Sequence, residues 1–273
     1  MSKGNPYFLG YRQAEQERLE RQAQELAPDS GWLFDQVAIR DGFRVIELGC
    51  GPRGCLQLLS ERVGATGMVI GLERNDEEVK HARQFVAANR LANVEVVHGD
   101  ARATSFPKGE FDLATARLVL VNVPNPEQIV AEMVRLVRPG GVVALHEADF
   151  IGHEMCHPAH PASMRLYQLL NAYAEMNGTD RFIGRRVPGM LRKAGLLDVR
   201  VNPLVHVYPP HHGRRMVMLD FVENVRDRLL GAGLIGEVEL LELMEALKRH
   251  LEDPETEVFS TIFVQTWGRT PEQ

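Results

Sequence analysis

Between residues 43 and 148 the chain alternates short, nearly unbroken apolar runs with segments whose apolar positions recur every three or four residues. The runs at 43–48, 68–72, 94–97, 111–116 and 142–146 have the length and continuity of strands buried on both faces. Segments 55–63, 77–89 and 126–137 carry helical spacing, and Pro126 falls at a first-turn position where no N–H is needed. Gly64-Ala65-Thr66-Gly67 and Pro139-Gly140-Gly141 read as turns. Five strands alternating with helices predict an α/β fold on a parallel sheet with right-handed crossovers.

The flanks differ. Residues 12–27 place Leu19, Ala23, Leu26 and Ala27 on one face of an otherwise polar helix, which Pro28-Asp29-Ser30-Gly31 is expected to end. After Phe150 the alternation stops. Residues 151–161 read as a loop holding three histidines and two prolines, followed by helical patterns at 162–176, 184–194, 214–230 and 238–251. Two further strands are predicted at 199–207, closed by Pro209-Pro210, and at 258–266. There is no internal repeat or low-complexity tract.

Composition narrows the class. The 273 residues are 44% hydrophobic and 25% charged, enough to bury one large core. The formal charge of −6 and the lack of a long basic run disfavour nucleic acid as a partner. Three cysteines, Cys50, Cys55 and Cys156, make no disulfide framework and suit a reducing compartment. The first residues lack the apolar core of a signal peptide, and no apolar run approaches a membrane span. The expectation is a cytoplasmic protein acting on a small molecule away from the membrane, as a monomer or homodimer.

Candidate chemistry concentrates at Val45-Ile46-Glu47-Leu48-Gly49-Cys50-Gly51-Pro52-Arg53-Gly54, where a buried strand runs into a glycine turn and then a helix. In an open α/β sheet, ligands bind at this end of the strands. Gly49, Gly51 and Gly54 fit the dinucleotide pattern G-x-G-x-x-G, with Glu73 placed for a ribose hydroxyl, so an NAD(P)-dependent oxidoreductase is one reading. Glu47 favours another, because a carboxylate two residues before the first glycine can receive an ammonium. Asp100 after the third strand can accept from an adenine amino group. Each acid also has a plain alternative: a strand-end cap for Glu47, a helix-start acid for Glu73, an Asx turn for Asp100.

Together these residues resemble the class I S-adenosylmethionine-dependent methyltransferases, in detail over residues 43–148. Glu47, Gly49 and Gly51 match the family's E-x-G-x-G. The resemblance implies that Glu73, with Arg74, holds the ribose, that Asp100 and Ala101 lie at the adenine, and that Arg117 and Leu118 run along the methionine portion. Tyr7 and Leu9-Gly10-Tyr11 resemble the N-terminal cap of a small-molecule branch, with Tyr11 at the cofactor, and the stretch from Ile183-Gly184-Arg185-Arg186 to Gly195-Leu196 is similar to that branch too. One departure stands out: Arg53 occupies the usual third glycine position and must swing outward unless the turn is reshaped. The family's fold is a Rossmann-like seven-stranded sheet with helices on both faces, its last strand antiparallel and inserted beside the fifth. On that pattern residues 1–150 hold cap helices and the cofactor core, and 151–273 hold the covering helices plus the last two strands, with 208–257 an inserted helical lid.

The implied reaction is in-line transfer of a methyl group from S-adenosyl-L-methionine, leaving S-adenosyl-L-homocysteine, to an O-, N- or C-nucleophile, driven mainly by positioning. A protein that binds the cofactor without transferring methyl, or that uses the sulfonium in a cyclisation, remains a further reading. His146, ending the fifth strand before Glu147, Ala148 and Asp149, is the candidate base, against a role as a buried core histidine. His153, Cys156, His157 and His160 have donor chemistry but no zinc spacing, and no metal is expected.

Overall fold

The computed structural model describes residues 13–151 and 155–272. Seven strands form one sheet: β1 (Arg44–Leu48), β2 (Met68–Glu73), β3 (Val94–His98), β4 (Phe111–Arg117), β5 (Val137–Asp149), β7 (Leu197–Leu204) and β10 (Ile262–Arg269). Their spatial order is β3-β2-β1-β4-β5-β10-β7, parallel from β3 to β5, with β10 antiparallel to both neighbours. The order reverses between β1 and β4, so their carboxyl ends open a crevice.

The unbroken apolar runs follow from burial on both faces. Ile46, Leu48, Ile70, Leu72, Val143 and Leu145 pack with α5 (Pro126–Leu136) and α7 (Ile183–Lys193). Val45, Val69, Val96, Val142 and Ala144 pack on the other face with α2 (Ala27–Gln36), α3 (Leu56–Val63) and α4 (Asp76–Ala88). Asn75 caps α4, its side-chain oxygen accepting from the N–H groups of Glu77 and Glu78 at 2.9 and 3.0 Å.

A third hydrophobic cluster lies apart from the sheet. It joins α6 (Pro161–Met176), α8 (Val217–Gly231) and α9 (Glu237–Glu252) to a three-stranded sheet of order β6-β9-β8, comprising Cys156–His157, Glu257–Phe259 and Val207–Tyr208. This cover sits over the ligand edge of the main sheet.

Several expectations change here. Pro28 does not end the first helix; α1 (Gln13–Glu25) stops earlier and Pro28 sits in the first turn of α2. Pro139-Gly140-Gly141 is no turn but an irregularity within β5, where Phe111 pairs Val137 while Leu113 pairs Val142. The strands expected at 199–207 and 258–266 each break in two. Across those breaks His206 and Ser260 bond through their backbones at 2.8 Å, and there the chain passes from the large sheet to the small one. The loop at 151–161 contributes β6.

The buried face of α1 is also not the apolar stripe expected. Glu15, Arg18 and Gln22 are buried beside Ala23 and Leu26, whereas Leu19 is half-buried. Arg18 donates to both Glu15 carboxylate oxygens at 2.7 Å and to Gln22 Oε1 at 2.7 Å, and Asn224 of α8 donates to Glu15 at 2.6 Å. Paired this way, the polar groups tolerate burial.

Candidate active site

The carboxyl ends of β1, β2, β3, β4 and β5, the polar face of α1 and the underside of the cover enclose one cavity. Its floor is the glycine turn. The N–H groups of Gly49 and Cys50 donate to Leu72 O at 2.7 and 3.1 Å, folding the turn across the end of β2. Gly49, Gly51 and Gly54 all have positive φ, at 72°, 56° and 50°. A Cβ on Gly49 would meet Val119 Cγ2 at 2.7 Å, whereas one on Gly51, which lines the cavity, would meet no atom of the described residues within 4 Å. Arg53 swings outward, its guanidinium 4.8 Å from the Phe85 ring centroid on α4, and Gly54 supplies the conformation one residue later.

Glu47, Glu73 and Asp100 all line this cavity. Glu47 lies beneath the turn, fully buried, both oxygens 2.9 Å from the Cys55 N–H at the start of α3. Burial pushes its pKa up to about 7, with Arg117 and the Cys55 contact pulling the other way. The Glu73 carboxylate accepts from the Gly51 N–H at 3.0 Å on one oxygen and from the N–H groups of Arg74 and Asn75 at 2.7 and 2.9 Å on the other. Glu73 therefore ties the glycine turn to the end of β2. Asp100 does close an Asx turn, accepting from the Arg102 N–H at 2.9 Å. Its carboxylate is also gripped by the Arg102 side chain, which holds its pKa below the usual range. Any ligand that uses Asp100 shares it with Arg102.

Arg74, Ala101, Arg117 and Leu118 line the cavity too. Arg117 donates to Ser30 Oγ at 2.9 Å and Gly54 O at 3.2 Å, stitching α2 to the turn. Leu118 has φ 56°, and its conformation is supported by a residue whose role the sequence did not disclose. Glu147 on β5 accepts the N–H groups of Val119, Leu120 and Val121 at 3.0, 2.8 and 3.2 Å. A run of N–H groups around a buried carboxylate fixes the 118–122 segment, although burial still raises the Glu147 pKa to about 7. Arg102 and Glu78, which also line the cavity, were likewise missed. Both sit on the polar side of a turn or helix, where sequence offers no directional signal.

His146 is not among the described residues that line the cavity, and of its two readings the structure supports the buried core histidine over the base. It shares the β5 face of Val142 and Ala144, is 1% exposed, and stands edge-on to Phe263 at 5.5 Å. Neither ring nitrogen has a hydrogen-bond partner among the described residues. Burial, aided by Arg117, His206 and Arg214, lowers its pKa to about 3, so the imidazole stays neutral. The neighbouring acids are committed as well, Glu147 as above and Asp149 to Arg185 at 2.7 Å.

The histidine loop disperses. Cys156 is buried in the cover, His160 Nδ1 accepts from the Ala162 N–H at 3.2 Å to cap α6, and no three His, Cys, Asp or Glu side chains converge among the described residues. Tyr11 and His153 lie outside the described residues.

The far half of the cavity is apolar and cationic. Phe150, Leu170, Val217, Phe221 and Phe263 line it with Arg18, Arg181, Tyr208 and Arg214. Arg214 Nε donates to the Tyr208 hydroxyl at 2.9 Å, and its Nη1 reaches Glu25 at 3.3 Å. Among the described residues, the carboxylates lining the cavity are Glu47, Glu73, Glu78 and Asp100, all on the glycine-turn side.

Comparison with known proteins gives a consistent result. A family model described as a methyltransferase domain matches residues 46–145. The demethylmenaquinone methyltransferase of Geobacillus kaustophilus is 31% identical over 183 residues, covering 63% of this chain and 78% of that protein. An uncharacterized 37.1 kDa protein in transposon TN4556 of Streptomyces fradiae is 31% identical over 176 residues, or 64% of this chain, and the chain spans 50% of its length. Among solved structures, the 4+2 cyclase SpnF superposes with TM-score 0.57 at 18% identity, covering 92% of this chain and 83% of that one, a likeness of fold alone.

Proposed function

This chain belongs to the class I S-adenosylmethionine-dependent methyltransferases, and from that premise we propose that it transfers the methyl group to a small-molecule acceptor held under the cover. Membership removes the NAD(P)-dependent oxidoreductase as a reading of the glycine turn. The observation that carries the proposal is convergence: Glu47, Glu73 and Arg117, on three different strands, and Asp100, just past the end of a fourth, line one cavity beside a glycine with room for a ligand where a side chain would stand. The donor set suits an adenosyl sulfonium amino acid, with carboxylates for hydroxyl, amino and ammonium donors.

In this reading Glu73 and Arg74 hold the ribose, Asp100 and Ala101 border the adenine, and Glu47, Arg117 and Leu118 take the amino-acid end beside Gly49 and Gly51. The cofactor, when bound, supplies an electrophilic methyl group on a good leaving group. The protein's part is to hold the acceptor in line and exclude water. Residues 1–150 supply the cap helices and the cofactor half, and 151–273 supply the acceptor cover together with β7 and β10. The relative that methylates demethylmenaquinone supports a small organic acceptor. Phe150, Phe221 and Phe263 give the wall an apolar body to grip, and with His146 displaced no histidine lines the cavity among the described residues. Positioning, rather than proton removal by the protein, then carries the rate.

Calorimetry with S-adenosylhomocysteine tests the site. Glu73→Ala and Asp100→Ala are expected to weaken binding at least about tenfold, or 1.4 kcal/mol. Unaltered affinity in both would overturn the assignment. Methyl-labelled S-adenosylmethionine incubated with cell extract would then reveal the acceptor as the labelled small molecule.

A further inference from the structure

Among the described residues, three guanidinium groups border the acceptor half of the cavity, and they are not equivalent. Arg18 has Glu15, and Arg214 has Glu25 and the Tyr208 hydroxyl. Arg181 has no acid among the described residues. It sits between α6 and α7, its backbone carbonyl accepting from the Phe150 N–H at 2.9 Å, which fixes it beside the end of β5. The residue is 6% exposed and lines the cavity, yet its Nη1 atom is buried with no hydrogen-bond partner among the described residues. Two rings face the guanidinium, Phe150 with its centroid 4.2 Å from Cζ and Tyr167 at 5.7 Å. Tyr167 is itself fixed by donating to Phe150 O at 2.7 Å.

Ring faces attract a cation, but they do not replace the hydrogen bonds that a guanidinium gives up on leaving water. A guanidinium carries five donors in a planar fork that matches a carboxylate or another oxyanion. The aromatic wall continues from Phe150 to Phe221, 6.2 Å between centroids, and Arg18 closes it 5.0 Å over Phe221. The acceptor half thus offers flat apolar surface, an unmatched positive charge and no described carboxylate.

We propose that the acceptor is an organic anion, a flat apolar molecule whose negatively charged oxygen binds the Arg181 guanidinium while its body lies against Phe150 and Phe221. The negative oxygen is either a carboxylate or an ionised phenol or enol. The identity of this ligand as the methyl acceptor rests on the methyl-transfer reading above; the charge preference of the pocket does not.

The test uses the full chain saturated with S-adenosylhomocysteine and three matched arms: benzoate and 2-naphthoate, phenol and 2-naphthol below and above their ionisation, and benzamide and 2-naphthamide. Calorimetry and ligand-induced shifts in melting temperature report binding. At least one anionic arm is expected to bind tenfold or more tightly than its amide, and which arm does so identifies the oxyanion. Arg181→Gln should erase that preference, and Arg181→Lys should keep part of it. S-adenosylhomocysteine affinity should stay within twofold in both variants. Arg181→Met should raise the melting temperature of the ligand-free protein, an effect that a merely structural arginine would reverse. Anions binding no better than amides, a preference that survives in Arg181→Gln, or a destabilised Arg181→Met would each overturn the proposal. Failure of the wild type to bind S-adenosylhomocysteine would instead count against the methyl-transfer reading, and the same panel without cofactor would still decide the charge preference.

Discussion

Glu47→Gln separates two effects that share one carboxylate. Burial raises the Glu47 pKa from 4.5 to about 7. At about 1.4 kcal/mol per unit, the ionised side chain then penalises the folded state by about 3 kcal/mol. A carboxylate whose folded pKa lies above its unfolded value binds more protons when folded. Its share of stability is therefore intact below pH 4.5, declines as pH rises towards 7, and is lost above that. Glutamine keeps an acceptor for the Cys55 N–H and never ionises. Urea denaturation should show the two proteins alike near pH 4.5 and the variant more stable by about 3 kcal/mol at pH 8. Binding should move the other way. If Glu47 receives the cofactor's ammonium, wild-type affinity for S-adenosylhomocysteine rises between pH 6 and 8 as the carboxylate ionises, whereas the variant binds weakly and with little pH dependence. A glutamine protein that is less stable at pH 8, or a flat wild-type binding profile, would refute this account of Glu47.

Other substitutions probe the same frame. His146→Leu should leave turnover within twofold of wild type, because the imidazole is off the cavity wall. It should also raise stability at pH 5, where an imidazole with folded pKa about 3 and unfolded pKa 6.5 works against folding, by about 2 kcal/mol; a large loss of turnover would restore His146 as a catalytic group. Gly51→Ala should cost only about 1 kcal/mol of stability for its left-handed backbone yet weaken S-adenosylhomocysteine binding markedly. Gly49→Ala, driven into Val119, should cost about 2 kcal/mol or more, and equal stabilities would contradict the turn geometry. Deleting residues through Glu25 should leave far-UV circular dichroism of the sheet and cofactor binding largely intact while lowering turnover at least about tenfold, since α1 contributes wall rather than core; unchanged turnover would remove α1 from the acceptor site.

The sheet was legible because its signal is redundant. Strands buried on both faces, such as Met68–Glu73, can hardly be written without a continuous apolar run. The convergence of Glu47, Gly49, Gly51, Glu73 and Asp100 on one cavity was legible for a related reason, since they sit at fixed offsets from those runs. The acceptor half was not, because its residues come from distant segments and their directions depend on packing. Arg18 and Arg181 are 163 positions apart, and nothing local distinguishes either from a surface arginine. Polarity misled on α1. Glu15, Arg18 and Gln22 read as its solvent face yet are buried because they pair with one another, whereas for His146, open between a base and a buried histidine, the structure supports the buried one, edge-on to Phe263. The breaks at 205–206 and 260–261 were invisible because an apolar strand pattern does not show which of two sheets each half joins.

Those two breaks lie back to back, His206 against Ser260, so the part of the roof made of β8, α8, α9 and β9 hangs from the sheet by short tethers at a single edge, while β6 and α6 join the sheet separately, after β5 and before α7. That part shares its hydrophobic nucleus with α6 and β6. A segment with one line of attachment behaves as an interchangeable cassette as long as its face toward α6 is kept. Recombination at 205–206 and 260–261, exchanging what lies between for the corresponding piece of another family member, would change what is methylated without redesigning the engine beneath.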